Sequence, residues 1–163
     1  RDPPLLWGAK VSREFRDRVH WIAEDLEMDT VDGADDLMTC MAWESGRTFA
    51  PDVKNMAGSG ATGLIQFMPA TARSLGTSVQ ALEAMTAEDQ LNYVYKYFRP
   101  FKGRLQNLGD VYMAILWPKA VGQPDDYALF TGGVAYRQNA GLDTNKDGFL
   151  SKEELVAGRP TRR

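Results

Sequence analysis

The sequence predicts a mainly α-helical fold with at most a small β element. Apolar residues recur at helical spacing, helix-capping residues precede several of these runs, and strand-like alternation is scarce. The chain has 163 residues, enough for one domain with its own core. No repeat, low-complexity tract or linker divides it, so we expect residues 1–163 to form a single domain.

Two helices are expected in the first third of the chain. Ser12 is a suitable N-cap for the first, whose buried face is formed by Val11, Phe15, Val19, Ile22 and Leu26. After a turn-rich stretch, a second helix is predicted from about Asp35 to Ser45. Gly46 follows directly and is expected to end it.

Further helices are expected downstream. Pro69 favours a first helical position, which predicts a short helix from Pro69 to Leu75. Thr86 begins a capping-box pattern ahead of another helix. The apolar run from Val111 to Trp117 is expected to be helical until Pro118 ends it. The glycine-rich residues 57–67 predict a turn and a short extended piece, which places the small β element between the second and third helices.

Composition excludes several functional classes. A net charge of −3 argues against nucleic acid as the main partner, because such partners favour a basic face. No apolar run reaches the ~18 residues that a membrane-spanning helix needs. The single Cys40 excludes an internal disulfide, and the lone His20 excludes catalytic triads and metal sites built on histidine. The chain begins at Arg1 without a Met or a signal peptide, so we expect a fragment of a longer protein.

Glu44 is the candidate catalytic acid. It shares one helix face with Leu37 and Met41, so a carboxyl group continues an apolar stripe into the last turn. Partial burial and the negative end of the helix dipole both disfavour ionisation, and we expect them to raise the pKa of this carboxyl group. Such a group suits general acid catalysis near neutral pH. Position alone leaves open that Glu44 is a surface residue at a frayed helix end.

An ordered motif follows: Glu44-Ser45-Gly46, then Phe49-Ala50-Pro51, then Gly60-Ala61-Thr62-Gly63-Leu64-Ile65-Gln66-Phe67-Met68-Pro69-Ala70-Thr71-Ala72. This block, within residues 35–76, resembles the soluble lytic transglycosylase family. The family pattern is Glu-Ser, a short loop with Asn-Pro, then Gly-Ala-x-Gly-Leu-Met-Gln-x-Met-Pro-x-Thr-Ala. The resemblance implies a lysozyme-like helical domain that cleaves the β-1,4 bond between N-acetylmuramic acid and N-acetylglucosamine in bacterial peptidoglycan.

The same resemblance assigns roles to individual residues. Glu44 would be the acid/base, and Gln66 and Met68 would line the sugar cleft. A loop amide bound to backbone is the alternative for Gln66, and ordinary core packing is the alternative for Met68. A cleft serine of the family falls on Asn55, although the loop from Ser45 to Pro51 is two residues longer than usual.

The family's later Ala-Tyr-Asn-Ala-Gly motif is not present as such. Two stretches compete for its role, one containing Tyr112 and the other Tyr136. Both remain candidates for substrate binding, and either tyrosine could instead belong to the core.

The number of catalytic acids stays open. Glycosidases commonly use two carboxyl groups, whereas the lytic transglycosylase mechanism needs only one and forms a 1,6-anhydro product. Asp52 is the candidate second acid of a hydrolytic muramidase, and its alternative is a surface turn beside Pro51. No acid stands between Gly63 and Met68, which favours the single-acid mechanism.

A twelve-residue calcium-loop pattern lies near the C-terminus. It matches the EF-hand loop, with side-chain or backbone oxygens at the ligand positions and Gly148 at the sharp turn. Leu150 is expected to point inward as the apolar anchor of the loop. Because only one such loop is visible, we interpret the calcium as structural. The predicted ligands are Asp143, Asn145, Asp147, Phe149, Ser151 and Glu154.

Three functional classes compete. An active peptidoglycan glycosidase explains both Glu44 and the motif around it. A non-catalytic peptidoglycan-binding module would keep the cleft without turnover, and a calcium-sensing interaction protein would leave the motif unexplained. We expect action on the cell wall in the bacterial periplasm, with delivery by a bacteriophage or a secretion system. An immunity or carrier protein would be an additional partner, which the sequence does not identify.

Overall fold

A computed structural model describes residues 4–158. It is mainly helical, which confirms the predicted fold class, and none of the helices in this range is long and apolar enough to cross a membrane. The helices are α1 (Arg13–Asp25), α2 (Gly33–Glu44), α3 (Pro69–Ser74), α4 (Val79–Ala84), α5 (Ala87–Phe98), α6 (Leu108–Leu116), α7 (Gly133–Gln138) and α8 (Lys152–Ala157), and the strands are β1 (Ala128–Phe130) and β2 (Leu150–Ser151).

The helix starts follow the capping residues expected from the sequence. The side-chain oxygen of Ser12 accepts a hydrogen bond from the backbone N–H of Phe15 at 3.0 Å and begins α1. The Thr86 hydroxyl accepts from the N–H of Asp89 in the same way and begins α5. Helix α2 begins two residues earlier than predicted and ends at Glu44, so the candidate acid occupies its last position.

The core is built around α2. This helix packs against α1 on one side and α6 on another, and α1 also contacts α5. Most of α2 is buried, including Leu37 and Met41 on the face that leads to Glu44. Because an almost fully buried helix has little freedom to shift, the carboxyl group at its end is held by the densest part of the molecule.

The small β element lies elsewhere than predicted. The glycine-rich segment between α2 and α3 forms only isolated bridges, in which Thr62 pairs with Lys54 and with Phe67. Gly60 and Gly63 adopt left-handed backbone angles (φ 83° and 87°), which turn the chain too sharply for an extended strand. The two-stranded antiparallel sheet instead joins β1 to β2 in the C-terminal part.

Gln90 fixes the glycine-rich segment to the helical body. This side chain is completely buried, and its amide oxygen accepts the backbone N–H of Leu64 at 2.8 Å. Its amide nitrogen donates to the carbonyls of Pro51 and Leu82, both at 2.9 Å. A Cβ atom on Gly63 would stand 2.3 Å from the Gln90 oxygen, so the close approach requires glycine.

A buried ion pair joins the C-terminal segment to α6. Lys152 is 1% exposed and Asp110 is 2% exposed, and their charged atoms lie 2.5 Å apart. The Lys152 ammonium also donates to the carbonyls of Ala120 and Gln123. Leu150 is fully buried next to this contact, as the sequence predicted. The segment that contains the candidate calcium loop is therefore part of the same packed body as α6.

Candidate active site

The end of α2 is held by a serine that follows the candidate acid. Ser45 is 1% exposed; its hydroxyl donates to the Met41 carbonyl at 2.7 Å and accepts the N–H of Phe49 at 3.0 Å. The Ser45 side chain thereby joins the last turn of α2 to the loop that follows Glu44. The sequence motif contained Ser45 without indicating this positioning role, which only the three-dimensional turn reveals.

The turn itself holds strained backbone. Gly46, Arg47 and Phe49 all have left-handed φ angles, of 62°, 68° and 52°. Two of these residues carry side chains, for which this conformation is costly, and such strain persists where the surrounding structure enforces it. The Arg47 N–H donates to the Ala42 carbonyl at 2.7 Å, which closes the helix end behind Glu44.

Glu44 lies in a cavity of about 270 Å³ between the glycine-rich segment and helices α5 and α6. The residue is partly buried. Of the described residues that line this cavity, Glu44 is the one with a carboxyl group. Asp52 lies in an exposed turn and does not line this cavity.

The structure places Gln66, Met68 and Asn55 in the wall of the same cavity. The Gln66 amide nitrogen donates to the carbonyls of Val53 and Gly63, so its side chain binds backbone while it lines the cleft. Met68 is 46% exposed, which excludes core packing as its role. Asn55 is exposed, and its oxygen accepts the N–H of Ala57 within a tight turn.

Between the two competing tyrosines, the structure places Tyr112 at the cavity. Tyr112 lies on α6 with its ring edge-on to Trp43, at 5.8 Å between centroids. Tyr136 does not line this cavity, and its hydroxyl donates to Asp143 in the candidate calcium loop at 2.6 Å.

Tyr97 is a cavity residue that the sequence analysis missed. It lies on α5, and its hydroxyl donates to the Ala114 carbonyl of α6 at 2.6 Å. Burial raises the pKa of Tyr97, and electrostatic interactions with Cys40 and Glu44 raise it further. The residue pattern of α5 did not single out Tyr97 as a cavity residue. Tyr95 on the same helix is also aromatic, but it lines a different concave surface.

The candidate calcium loop brings three acids together. Carboxylate oxygens of Asp143, Asp147 and Glu154 lie within 4.8 Å of one another and could hold a metal ion. A hydrogen bond from Tyr136 lowers the pKa of Asp143, and a hydrogen bond from the Ser151 backbone lowers the pKa of Glu154. Both groups therefore favour the charged form that a cation requires. Gly148 has a φ of 85°, as the sharp turn demands.

A comparison with protein families shows the family to which the chain belongs. The model described as Transglycosylase SLT domain matches residues 28–115, more than half of the chain. The chain belongs to this family. The matched region begins before α2 and ends within α6, so it contains Glu44 and the cavity wall formed by Gln66, Met68 and Tyr112. No curated protein and no solved structure gives a significant match.

The SLT domain family comprises lytic transglycosylases, which degrade peptidoglycan. The chain is therefore a peptidoglycan-degrading enzyme with a lysozyme-like, mainly helical fold. The candidate calcium loop at residues 143–154 lies beyond the matched region. Family membership consequently supports the cleft and says nothing of the metal.

Proposed function

We propose that the enzyme cleaves the β-1,4 bond between N-acetylmuramic acid and N-acetylglucosamine as a lytic transglycosylase, with Glu44 as its general acid and base. One observation carries the proposal: Glu44, which lies within the family-matched region, is the one residue with a carboxyl group among the described residues that line the cavity. A second acid is the feature that a hydrolytic glycosidase usually needs.

The chemistry requires one group that first gives and then takes a proton. Glu44 donates its proton to the bridging oxygen as the bond to the anomeric carbon breaks, which releases the N-acetylglucosamine side as an alcohol. The Glu44 carboxylate then accepts the proton of the muramyl 6-hydroxyl while that oxygen bonds to the anomeric carbon. The product is a 1,6-anhydromuramyl end, Glu44 is protonated again, and no water is consumed.

The neighbouring residues support these steps. Gln66 is held by two backbone carbonyls, and its amide oxygen accepts no hydrogen bond from the described residues, so it can accept one from a sugar hydroxyl or acetamido N–H. The exposed side chain of Met68 offers an apolar surface at the same wall. Tyr97 of α5 and Tyr112 of α6 line the cavity with aromatic rings.

The test is digestion of purified peptidoglycan, followed by mass spectrometry of the released muropeptides. Glu44→Gln keeps the shape of the side chain and removes its proton, so we expect anhydromuramyl ends from the parent and none from this variant. Asp52→Asn is the matched control and should retain full activity. Reducing muramic acid ends that disappear in Asp52→Asn would favour a muramidase instead. Binding without cleavage by the parent would favour the non-catalytic module.

We also propose that residues 143–154 bind one calcium ion with a structural role. All six predicted ligands offer oxygen, the donor atom that calcium prefers, and three of them bring carboxylates to one place. The Gly148 N–H donates to Asp143, which closes the loop in the way that the pattern requires. A bound ion would neutralise the clustered charge and stabilise the segment that Lys152 joins to α6.

Thermal unfolding with and without calcium tests this second proposal. We expect calcium to raise the Tm of the parent, since an ion bound only by the folded state stabilises it by mass action. Glu154→Gln should abolish the rise, whereas Glu153→Gln, on an exposed neighbour, should keep it. An unchanged Tm of the parent after chelation would contradict a structural calcium site.

For its setting, we propose that the enzyme acts on the cell wall from the bacterial periplasm, delivered by a phage or a secretion system. The proposal rests on the peptidoglycan substrate of the family. Expression with an added export signal should lyse bacteria, and expression without one should not. Equal growth in both cases would contradict it.

A further inference from the structure

A second concave surface lies on the side of α5 away from the catalytic cavity. Its volume is about 660 Å³, larger than that of the cavity around Glu44. Tyr97 of α5 lines the catalytic cavity, whereas Tyr93, Tyr95 and Lys96 line this other concavity together with residues of α1. We name it the α1–α5 surface. Its further lining residues are Arg18, Trp21, Ile22, Leu91, Asn92 and Arg99.

An exposed aromatic pair forms one part of the α1–α5 surface. Trp21 is 55% exposed, and its ring centroid lies 5.1 Å from that of Tyr95. The Tyr95 hydroxyl donates to Asp25 at 2.5 Å, which fixes the ring that supports the tryptophan. A tryptophan that is this exposed contributes little to packing of the fold. The apolar face of a sugar ring can stack on a fixed aromatic ring of this kind.

Positive charge forms the other part. The lining contains Arg18, Lys96 and Arg99 and no carboxylate, although the whole chain has a net charge of −3. Arg18 is neutralised by Glu14 at 3.0 Å. Within residues 4–158, neither Lys96 nor Arg99 forms an ion pair, and both are exposed; the Lys96 ammonium lies 4.8 Å from the centre of the Tyr93 ring. The surface thus combines a sugar-stacking ring with two cations available to an anion.

Peptidoglycan offers this combination of groups. Its glycan strand presents the apolar faces of N-acetylated sugars, and its stem peptides carry carboxylates. We propose that the α1–α5 surface binds a second segment of peptidoglycan, with a sugar on Trp21 and stem-peptide carboxylates at Lys96 and Arg99. This inference rests on the proposed function only for the identity of the substrate. It adds a site that would keep the enzyme on an insoluble wall while Glu44 cleaves elsewhere.

Binding is measured first, in the Glu44→Gln background, so that the wall is not digested. Sedimentation with purified sacculi gives the apparent Kd of this protein and of two variants of it. One variant carries Trp21→Ala, and the other carries both Lys96→Glu and Arg99→Glu. We expect each change to weaken binding about fivefold or more, the effect of losing one good contact of about 1 kcal/mol. Lys119→Glu together with Arg137→Glu reverses two other exposed cations, is the matched charge control and should bind like the parent.

Cleavage with Glu44 intact is the second readout. Trp21→Ala should digest sacculi more slowly and leave turnover of a short soluble glycan unchanged, because only the insoluble substrate can occupy both sites. Unchanged binding and unchanged digestion of sacculi by Trp21→Ala, in a protein with the Tm of the parent, would overturn the proposal. So would a loss seen only with the charge reversals, which would indicate general attraction to anions. Failure of the proposed function is distinct, since it removes cleavage of the soluble glycan by the parent.

Discussion

Replacing Lys152 by Met should destabilise the protein by about 3 kcal/mol. Removing one partner of a buried ion pair typically costs about 3–5 kcal/mol, because the remaining charge stays buried without compensation. Here the stranded carboxylate of Asp110 keeps two backbone donors, the N–H groups of Gln106 at 3.0 Å and Gly122 at 2.8 Å. These bonds place the expected loss at the lower end of the range.

Urea unfolding followed by circular dichroism measures this loss. With a slope of about 2 kcal/mol per molar urea, the midpoint should fall by about 1.5 M. Lys119→Met, on an exposed lysine, is the control and should leave the midpoint within experimental error. Adding Asp110→Asn to Lys152→Met should restore part of the stability, because it removes the stranded charge and keeps a side-chain oxygen that can accept one of the two N–H groups. A loss below about 1 kcal/mol, or no recovery in the double variant, would refute the reasoning.

Two further predictions concern α2 and the glycine-rich segment. Burial raises the pKa of Asp36 to about 7, with Asp32, Asp35 and Asp29 adding to the effect. Since the unfolded carboxyl titrates near about 3.9, the folded state holds the extra proton between these values and stability falls as pH rises through that window. Asp36→Asn should therefore raise the Tm at about pH 8 and leave it unchanged at about pH 4. Screening by water and the favourable N-terminus of α2 reduce the gain in unfolding free energy at about pH 8 to about 1–2 kcal/mol. Equal Tm shifts at both pH values would contradict this. Gly63→Ala should cost about 2–4 kcal/mol, the sum of left-handed strain and lost Gln90 hydrogen bonds. Gly122→Ala, with a φ of 80° and no atom within 4 Å of the added Cβ, should show the strain alone, so equal losses would refute the role of Gln90.

Local signals in the sequence predicted α1 and α5. Ser12 and Thr86 begin α1 and α5 because a side-chain oxygen satisfies a free N–H, an interaction that spans only three residues. Helices α4 and α7 were missed, since six residues are too few for a periodic pattern to stand out.

Long-range contacts account for what the sequence did not predict. Lys152 lies in a charged, loop-like stretch, and its burial depends on Asp110, which is 42 residues away along the chain. The β1–β2 pairing joins two short segments whose sequences show no pattern typical of a strand. At the site, the motif identified Glu44 and its wall residues, but Tyr97 reaches the cavity only because α5 packs beside α6.

The most direct test of the central claim is digestion of peptidoglycan in water enriched in heavy oxygen, with the products reduced at once and weighed by mass spectrometry. If Glu44 directs the muramyl 6-hydroxyl to the anomeric carbon, the new ends are anhydromuramyl. These ends resist reduction, carry no label, and are lighter than reduced hydrolysed ends by one water and two hydrogens. Labelled muramic acid ends would show that water attacks the anomeric carbon and would contradict the transglycosylase mechanism.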